Sequence, residues 1–308
     1  MENKVYISVI IVSFNTKEIL HDCIQSLLKN LKDVNFEIII VDNGSSDGSK
    51  GFLKTLTKKN NKIRCFFMDK NLGFGGANNY AMERSKGGYL LLINPDVFIK
   101  NEVIQKVAKW MDENKSYGAA SANLYNKDGS MQGTGGYFPT LVRVFSWMTI
   151  QDIPFVDDLI KPFHPLKPNF PLSGERFYAS EKDLDWLTGA FLMIRRDAYK
   201  DTGFFDPDFF MYTEEVEYCL RLKMKGWGVR YLPYDGIIHL GAASAGTKMS
   251  ILSEFEGVKK LYKKHYSSWQ FPILKLVLKI GCLWRIPVYG LIKGKETAKI
   301  YVKAFTEI

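Results

Sequence analysis

Three runs of apolar, largely branched residues constrain this chain more than any other feature: VYISVIIVS at 5–13, FEIIIV at 36–41 and YLLLI at 89–93. Each is strand-length, and each is too uniformly apolar for a strand with one wet face. They read as strands covered on both sides, as central strands of parallel sheets are. Small polar or acidic residues follow them: Ser13-Phe14-Asn15, then Asp42-Asn43-Gly44-Ser45, then Asn94-Pro95-Asp96. Pro95 has no N–H to give, so the ladder must stop there, and Asp96 is delivered just past the carboxyl end of its strand.

Between these runs the period changes. Ile19, Leu20, Cys23, Ile24, Leu27 and Leu28 recur at helical spacing and predict a helix over Thr16–Asn30. The turn cluster Asn43–Gly48 closes the second strand, Ile63–Met68 predicts a third, and Leu72–Ser85 a further helix. Strand and helix alternate over about the first 120 residues, which predicts βαβ units and a mainly parallel sheet. From Pro139 to Glu181 the periodicity fades, and an excursion of that length is expected to form a lid or an acceptor surface. Order returns over Trp186–Ile194, followed by a helix at Thr213–Lys225, short strands at Val229–Leu232 and Gly236–His239, and a helical tail.

With 308 residues, 46% of them hydrophobic, the chain can bury a large core. Its net charge of +9 is confined to the tail: residues 257–308 hold 11 Lys and Arg against Glu296 and Glu307, while the first 256 residues hold 31 charges of each sign. The body therefore carries no basic stripe, and nucleic acid is not an expected partner. Cys23, Cys65, Cys219 and Cys282 show no CxxC spacing and are expected to be buried thiols in a reducing cytoplasm. A strand pattern begins by Val5 with no signal-like run ahead of it, so secretion is not expected. In the tail, Lys275, Lys279 and Arg285 interrupt the apolar run 271–292, and Pro287 is expected to break the helix. At 100° per residue those charges fall within about a 120° arc, which predicts a helix lying on an anionic cytoplasmic leaflet rather than spanning it. The alternative is a helix pair packed on the core or on a second subunit of a homodimer.

Ligands of open parallel sheets bind outside the carboxyl ends of the strands. Here those ends offer small polar and acidic groups, and no GxxxxGK[ST] or GxGxxG phosphate loop follows them. The third strand leads into Asp69-Lys70-Asn71-Leu72-Gly73, and Gly73-Phe74-Gly75-Gly76 opens a helix. A carboxylate meets a phosphate well only through a divalent cation, and Mg²⁺ typically takes one or two carboxylates plus substrate phosphates. Asp96 has a structural alternative as a cap for a helix starting near Asn101, and Asp42 has one as a turn former with Gly44.

The ordered series ISVIIVSFN, IIIVDNGSSDGS, NLGFGGANN, LLLINPD, WLTGAFLMIRR, GFFDPDFFMYTEEVEYCLR and IIHLGAAS resembles the inverting glycosyltransferases of family 2, especially their rhamnosyltransferase-like branch, over about residues 5–245. The resemblance implies a GT-A fold: a mixed, mainly parallel Rossmann-like sheet flanked by helices. The expected division is a nucleotide-sugar half at 1–125, an acceptor and catalytic half at 126–248, and a basic amphipathic helical tail at 249–308. By the same resemblance, Asp42 accepts the N3–H of a uracil or thymine base in a pocket lined by Ser13, Asn15 and Asn43, and Asn71, Gly73 and Asn78 border the donor. Asp96 matches the last acid of the family's metal-binding motif, which holds Mg²⁺ or Mn²⁺ against the diphosphate. The motif's first acid is Asn94 here, and His239 is a further expected metal ligand. Trp186, Thr188 and Gly189 resemble the acceptor-side segment. The family's Glu-Asp pair falls on Glu214 and Glu215, which makes Glu215 the expected base and Glu214 its acceptor-side neighbour. Helical spacing adds that Glu215 shares a partly apolar face with Cys219 and Leu222, while Glu214 and Glu217 share another.

These expectations describe an enzyme at the inner membrane face, moving a sugar, best matched by L-rhamnose, from a dTDP- or UDP-sugar donor to a lipid-linked oligosaccharide. Two rivals share the nucleotide half. One is a non-catalytic glycan- or nucleotide-binding protein, favoured by Asn94 and opposed by the acid at Glu215. The other is a nucleotidyltransferase, which should carry a basic Gly-rich loop where Phe14-Asn15-Thr16 stands.

Overall fold

A computed structural model describes residues 5–151, 153, 156–165, 174–241 and 247–308. Part of the 139–181 excursion, and residues 242–244 of the IIHLGAAS motif, lie outside the described residues. The elements run in the order β1 (Ile7–Ser13), α1 (Lys17–Asn30), β2 (Phe36–Asp42), α2 (Ser49–Lys59), β3 (Ile63–Phe67), α3 (Gly73–Arg84), β4 (Tyr89–Ile93), β5 (Val97–Ile99), α4 (Val103–Glu113) and β6 (Tyr117–Tyr125). Next come β7 (Met131–Gln132), β8 (Gly135–Gly136), α5 (Leu141–Met148), α6 (Val156–Leu159), α7 (Gly174–Phe177), β9 (Lys182–Asp183), β10 (Trp186–Leu187), β11 (Phe191–Arg195) and α8 (Arg196–Thr202). The chain closes with α9 (Glu214–Met224), β12 (Gly228–His239), α10 (Thr247–His265), α11 (Gln270–Ile292) and α12 (Lys295–Glu307).

One sheet holds the order β3-β2-β1-β4-β11-β6-β12-β5, with β7 and β9 at its margins. The first four strands are parallel, as the sequence pattern predicts. β11 then enters antiparallel to both β4 and β6, which makes the sheet mixed. β2 and β4 are buried along their whole length, and alternate residues feed two separate cores. Ile10, Leu90 and Leu92 join the core on one face, and Val9, Ile11, Leu91 and Ile93 the core on the other. Side chains of a strand alternate between faces, so a continuous apolar run is what a two-sided burial requires.

Register sets where the strand ends fall. Ser13 pairs with Asp42, and Ile11 pairs with Ile93, so Ser13, Asp42 and the Asn94–Asp96 corner come level along one edge. Beyond Pro95 the chain forms β5, a three-residue strand that the apolar pattern was too short to announce. It pairs antiparallel with β12, setting Val97 opposite His239. Asp96 does not cap α4: the N-cap position of that helix is Glu102, which makes no side-chain cap, and Asn101 Oδ1 accepts the Val103 N–H at 3.0 Å.

The tail departs from expectation in two respects. α11 runs through Pro287 to Ile292 instead of breaking there. Pro287 and Leu283, whose carbonyl loses its helical donor, both lie on the exposed side of the helix. Arg285, expected on a polar arc with Lys275 and Lys279, is instead buried. Its guanidinium donates to the carbonyls of Trp147 and Met148, at the C-terminus of α5, and to Tyr301 Oη at 3.0 Å. The last carbonyls of a helix have no intrahelical donor, and a buried cation that satisfies them is held there firmly. Gly281, one turn earlier, permits the approach, because a Cβ at that position would collide with the Met148 side chain. Arg285→Met should therefore lower unfolding stability by about 1–3 kcal/mol, through carbonyls left without a donor. Lys275→Met should change it by no more than about 0.5 kcal/mol. Urea titration of both variants checks the difference, and equal effects would mean Arg285 does not face inward.

Candidate active site

The carboxyl edge of the parallel strands gathers the expected donor residues. Asp42, at the end of β2, is 2% exposed. Its Oδ1 accepts the N–H groups of Gly44 at 3.2 Å and Ser45 at 2.9 Å, an Asx turn formed by the residue's own loop. Its Oδ2 is buried and has no hydrogen-bond partner among the described residues. A buried carboxylate oxygen without a donor is costly, so one such oxygen aimed at a binding edge marks where a ligand donor fits.

Around it the loops are locked to one another. Asn15, at φ 53°, donates its N–H to Ser45 Oγ and accepts from Ser46 N at 2.8 Å. Ser13 Oγ lies 2.9 Å from Thr16 Oγ1. Asn43 is engaged on both sides of its amide: its Oδ1 accepts from Leu72 N, and its Nδ2 donates to Asn71 Oδ1 and the Gly73 carbonyl. Asn71 in turn accepts the Gly73 N–H at 2.8 Å. Gly73 adopts φ +74° directly against Phe210, whose carbonyl accepts from Phe74 N, so any side chain there would meet Phe210. Asn78 donates to the Phe74 carbonyl, and its buried Oδ1 has no partner among the described residues.

The β4–β5 corner and the end of β12 form a second cluster. His239 Nε2 lies 3.3 Å from Asp96 Oδ1 and 3.3 Å from Asn94 Nδ2. Gln132 on β7 fixes the ring. Its amide nitrogen is committed to Asn126 Oδ1 and the His239 carbonyl, so its Oε1 faces His239 Nδ1 at 2.7 Å as an acceptor. The proton of a neutral His239 therefore sits on Nδ1, and Nε2 turns a lone pair toward the Asp96 carboxylate. The Asn94 amide nitrogen stands at the same distance as a donor to that lone pair. Burial by itself would raise the Asp96 carboxyl, but the hydrogen bond and charge of His239, with backbone N–H groups including that of Gly241, outweigh it and hold the group below the usual range. Among the described residues no three His, Cys, Asp or Glu side chains converge as a metal cage. Asp96 and His239 could supply two ligands to a divalent cation completed by substrate phosphates.

The third cluster surrounds α9. Thr213 occupies the N-cap position of α9 with φ 93° and makes no side-chain cap, and Tyr212 before it has φ 61°. A β-branched residue in the left-handed region is a strained outlier that the surroundings must enforce. Gly257 of α10 leaves room for this backbone, since a Cβ there would meet Thr213 Oγ1 and the Tyr212 carbonyl. Glu214 is buried and Glu215 half-buried, and each has a buried Oε2 without a partner among the described residues. Both faces of the helix are covered. Glu217 is also buried, because Arg221 at 2.7 Å and His265 of α10 at 3.0 Å close the other side of the helix. Burial, then the adjacent Glu215 charge, pushes the Glu214 carboxyl well above the usual range. Burial also raises Glu215, which the Glu254 charge pushes up further, while backbone N–H groups and His164 draw it back in part. A carboxyl with a raised pKa and an unpaired buried oxygen is equipped to take a proton.

The acceptor-side segment borders this helix. The Cys219 thiol, one turn beyond Glu215, bonds to the backbone of Leu187. Trp186 is buried, edge-on to the rings of Phe163 and His164, with its Nε1 lacking a partner among the described residues. Thr188 is anchored by its N–H to the Thr134 carbonyl, and Gly189 lies against the Phe74 ring of α3. His164 pairs with Glu254 at 2.5 Å. Neither residue was picked out from the sequence, since one lies in the aperiodic excursion and the other in the tail. Asp206 and Asp208 pair with Lys264, and Arg221 holds the carbonyls of Thr202 and Phe204, so these three brace loops.

Known proteins share this arrangement of sequence and fold. The chain is 26% identical over 269 residues to N-acetylglucosaminyl-diphospho-decaprenol L-rhamnosyltransferase of Mycobacterium tuberculosis, covering 83% of this chain and 80% of that one. It is 26% identical over 227 residues to rhamnosyltransferase WbbL of Escherichia coli K12, covering 71% and 78%. Among solved structures, that of GalNAc-T7 with UDP, GalNAc and Mn²⁺ superposes with a TM-score of 0.60 at 15% identity, over 86% of this chain and 49% of that one, a likeness of fold. Residues 8–220 match the profile described as glycosyl transferase family 2, more than half of the chain. With its mixed sheet, the GT-A architecture and this match, the protein is a glycosyltransferase and belongs to family 2.

Proposed function

We propose that this enzyme transfers a sugar, L-rhamnose from a dTDP- or UDP-linked donor, to a lipid-linked glycan with inversion at the anomeric carbon, on the cytoplasmic face of a membrane. The observation that carries the proposal is Glu215, a carboxyl raised by burial, with an unpaired oxygen, on a helix bonded to the acceptor-side segment. The choice of rhamnose and of a lipid-linked acceptor rests on the names of the two relatives.

In this reading the free Oδ2 of Asp42 accepts the N3–H of the pyrimidine, and the interlocked Asn43, Asn71 and Gly73 fix the loop beside the donor. Asp96 and His239 would hold a divalent cation, Mg²⁺ or Mn²⁺, whose charge offsets that developing on the nucleoside diphosphate. The acceptor hydroxyl attacks the anomeric carbon as its proton passes to Glu215. The bond from the sugar to the diphosphate oxygen breaks in the same displacement, and its electron pair leaves with the nucleotide. One base suffices, because a single displacement needs no covalent intermediate. Glu214, forced up by burial and by its neighbour, spares the site a second buried negative charge.

Three outcomes follow. Glu215→Gln should lower turnover by about 10²–10⁴-fold while nucleotide affinity by calorimetry stays unchanged, and near-normal release of nucleoside diphosphate would remove the base. Asp42→Ala should weaken nucleotide binding by roughly tenfold or more, the worth of a hydrogen bond to a charged group, with no change in the response to EDTA. Because the Glu215 carboxyl is raised, its proton leaves later than usual, so the acid limb of kcat/KM should lie above the ordinary value of about 4.3. Glu254→Gln deletes a negative charge that raises it, and should move that limb to lower pH.

A further inference from the structure

The most exposed apolar surface in the tail is a single helix face. Ile273, Leu276, Ile280, Leu283, Trp284 and Leu291 of α11 are 40–88% exposed. At 100° per residue these six fall within about a 100° arc, one continuous stripe along the helix. Trp269 at its N-terminus is 63% exposed, and Pro287 extends the stripe between Trp284 and Leu291. The opposite side is spoken for: Leu274, Leu278, Gly281, Cys282 and Arg285 are buried. Buried Arg285 fixes the rotation of the helix, so the stripe is turned outward by the fold and not by a free choice of orientation. Soluble surfaces rarely leave so long an apolar stripe bare.

The charge beside the stripe identifies its occupant. Lys275, Lys279 and Lys293 lie along one flank by the same helical count, and Lys295 and Lys299 follow at the start of α12. α11 contains no acid, and the two acids of residues 257–308 are each paired with a lysine of α12. A second copy of the chain packed face to face would bring lysines with no acids to answer them. An anionic lipid surface answers both features, since acyl chains receive the apolar stripe and headgroups receive the lysines. Tryptophans at both ends of the first four turns suit the headgroup boundary. No helix among the described residues is long and apolar enough to cross a membrane.

We propose that α11 lies in the plane of an anionic membrane, its Ile273–Leu291 stripe inserted among the acyl chains and its Lys275, Lys279 and Lys293 flank at the headgroups. The inference rests on the membrane-side reading above and adds the surface that makes the contact. The test is co-sedimentation of the full chain with phosphatidylglycerol–phosphatidylcholine vesicles and with vesicles of phosphatidylcholine alone. The wild type should bind the anionic vesicles and lose most binding in high salt or on neutral vesicles. Leu276→Glu with Leu283→Glu, both at exposed positions, should reduce the bound fraction by more than about tenfold, with unchanged circular dichroism and thermal midpoint. Lys275→Glu with Lys293→Glu should weaken binding to anionic vesicles only. Undiminished binding by the double Leu variant would overturn the proposal, as would a vesicle-free wild-type dimer that this variant dissociates. Nucleoside diphosphate release from UDP- and dTDP-sugars, with a water-soluble acceptor analogue, separates the two readings: the Leu variant should retain it, and a wild type that binds vesicles but releases nothing would defeat the transferase mechanism and leave the membrane contact standing.

Discussion

The pairing register of β1 with β2 and β4 is the constraint on which the rest depends. Parallel strands held level at Ser13, Asp42 and Ile93 end together, and three loops of different length must then share one edge. Pro95 makes that edge sharp by withholding the N–H that would continue β4, and the chain resumes as β5 only after Asp96 has been set. Because β5 pairs with β12, a histidine more than 140 residues further on is carried to the same corner. A slip of one residue in any of these ladders would turn Asp42 or His239 to the other face of the sheet.

What could be read from the sequence follows from range. β1, β2, β4 and α1 depend on periodicity within a dozen residues, and their limits in the structure differ from the predicted ones by two residues or fewer. Asp42 and Asp96 were legible because they stand at the ends of such strands. Features built from distant partners were not legible. Arg285 looked like a third surface charge until α5 supplied carbonyls 137 and 138 residues away. Pro287 looked like a breaker, yet its missing bond falls on the side of the helix turned away from the protein. The His164–Glu254 pair joins an aperiodic stretch to the tail, so no local pattern marks it.

The tail also reaches the candidate site from behind. α10 bears on Tyr212 and Thr213 through Gly257, on Glu217 through His265, and on Glu215 through the charge of Glu254. Left-handed Thr213 costs free energy that this contact must offset, and it alters the direction of the backbone immediately before Glu214 and Glu215. The strain is thereby tied to the aim of the two carboxyls. The basic helices are structurally continuous with the site, whatever surface their outer face meets.

The unpartnered oxygen of Asp42, in the role proposed for it, would discriminate among nucleotides. A carboxylate can only accept, so a base seated against Asp42 as proposed would have to present a protonated ring position. Uracil and thymine satisfy this with their imide hydrogen and are equivalent at that atom. Cytosine presents a lone pair there, and two lone pairs pressed together in a buried pocket repel. The loop's own N–H groups already occupy Oδ1, so the carboxylate has no second, freely turning oxygen with which to accommodate the wrong base. With the base placed as proposed, rejection of cytidine nucleotides would be a by-product of how the β2 turn is tied, and changing it would require untying the turn.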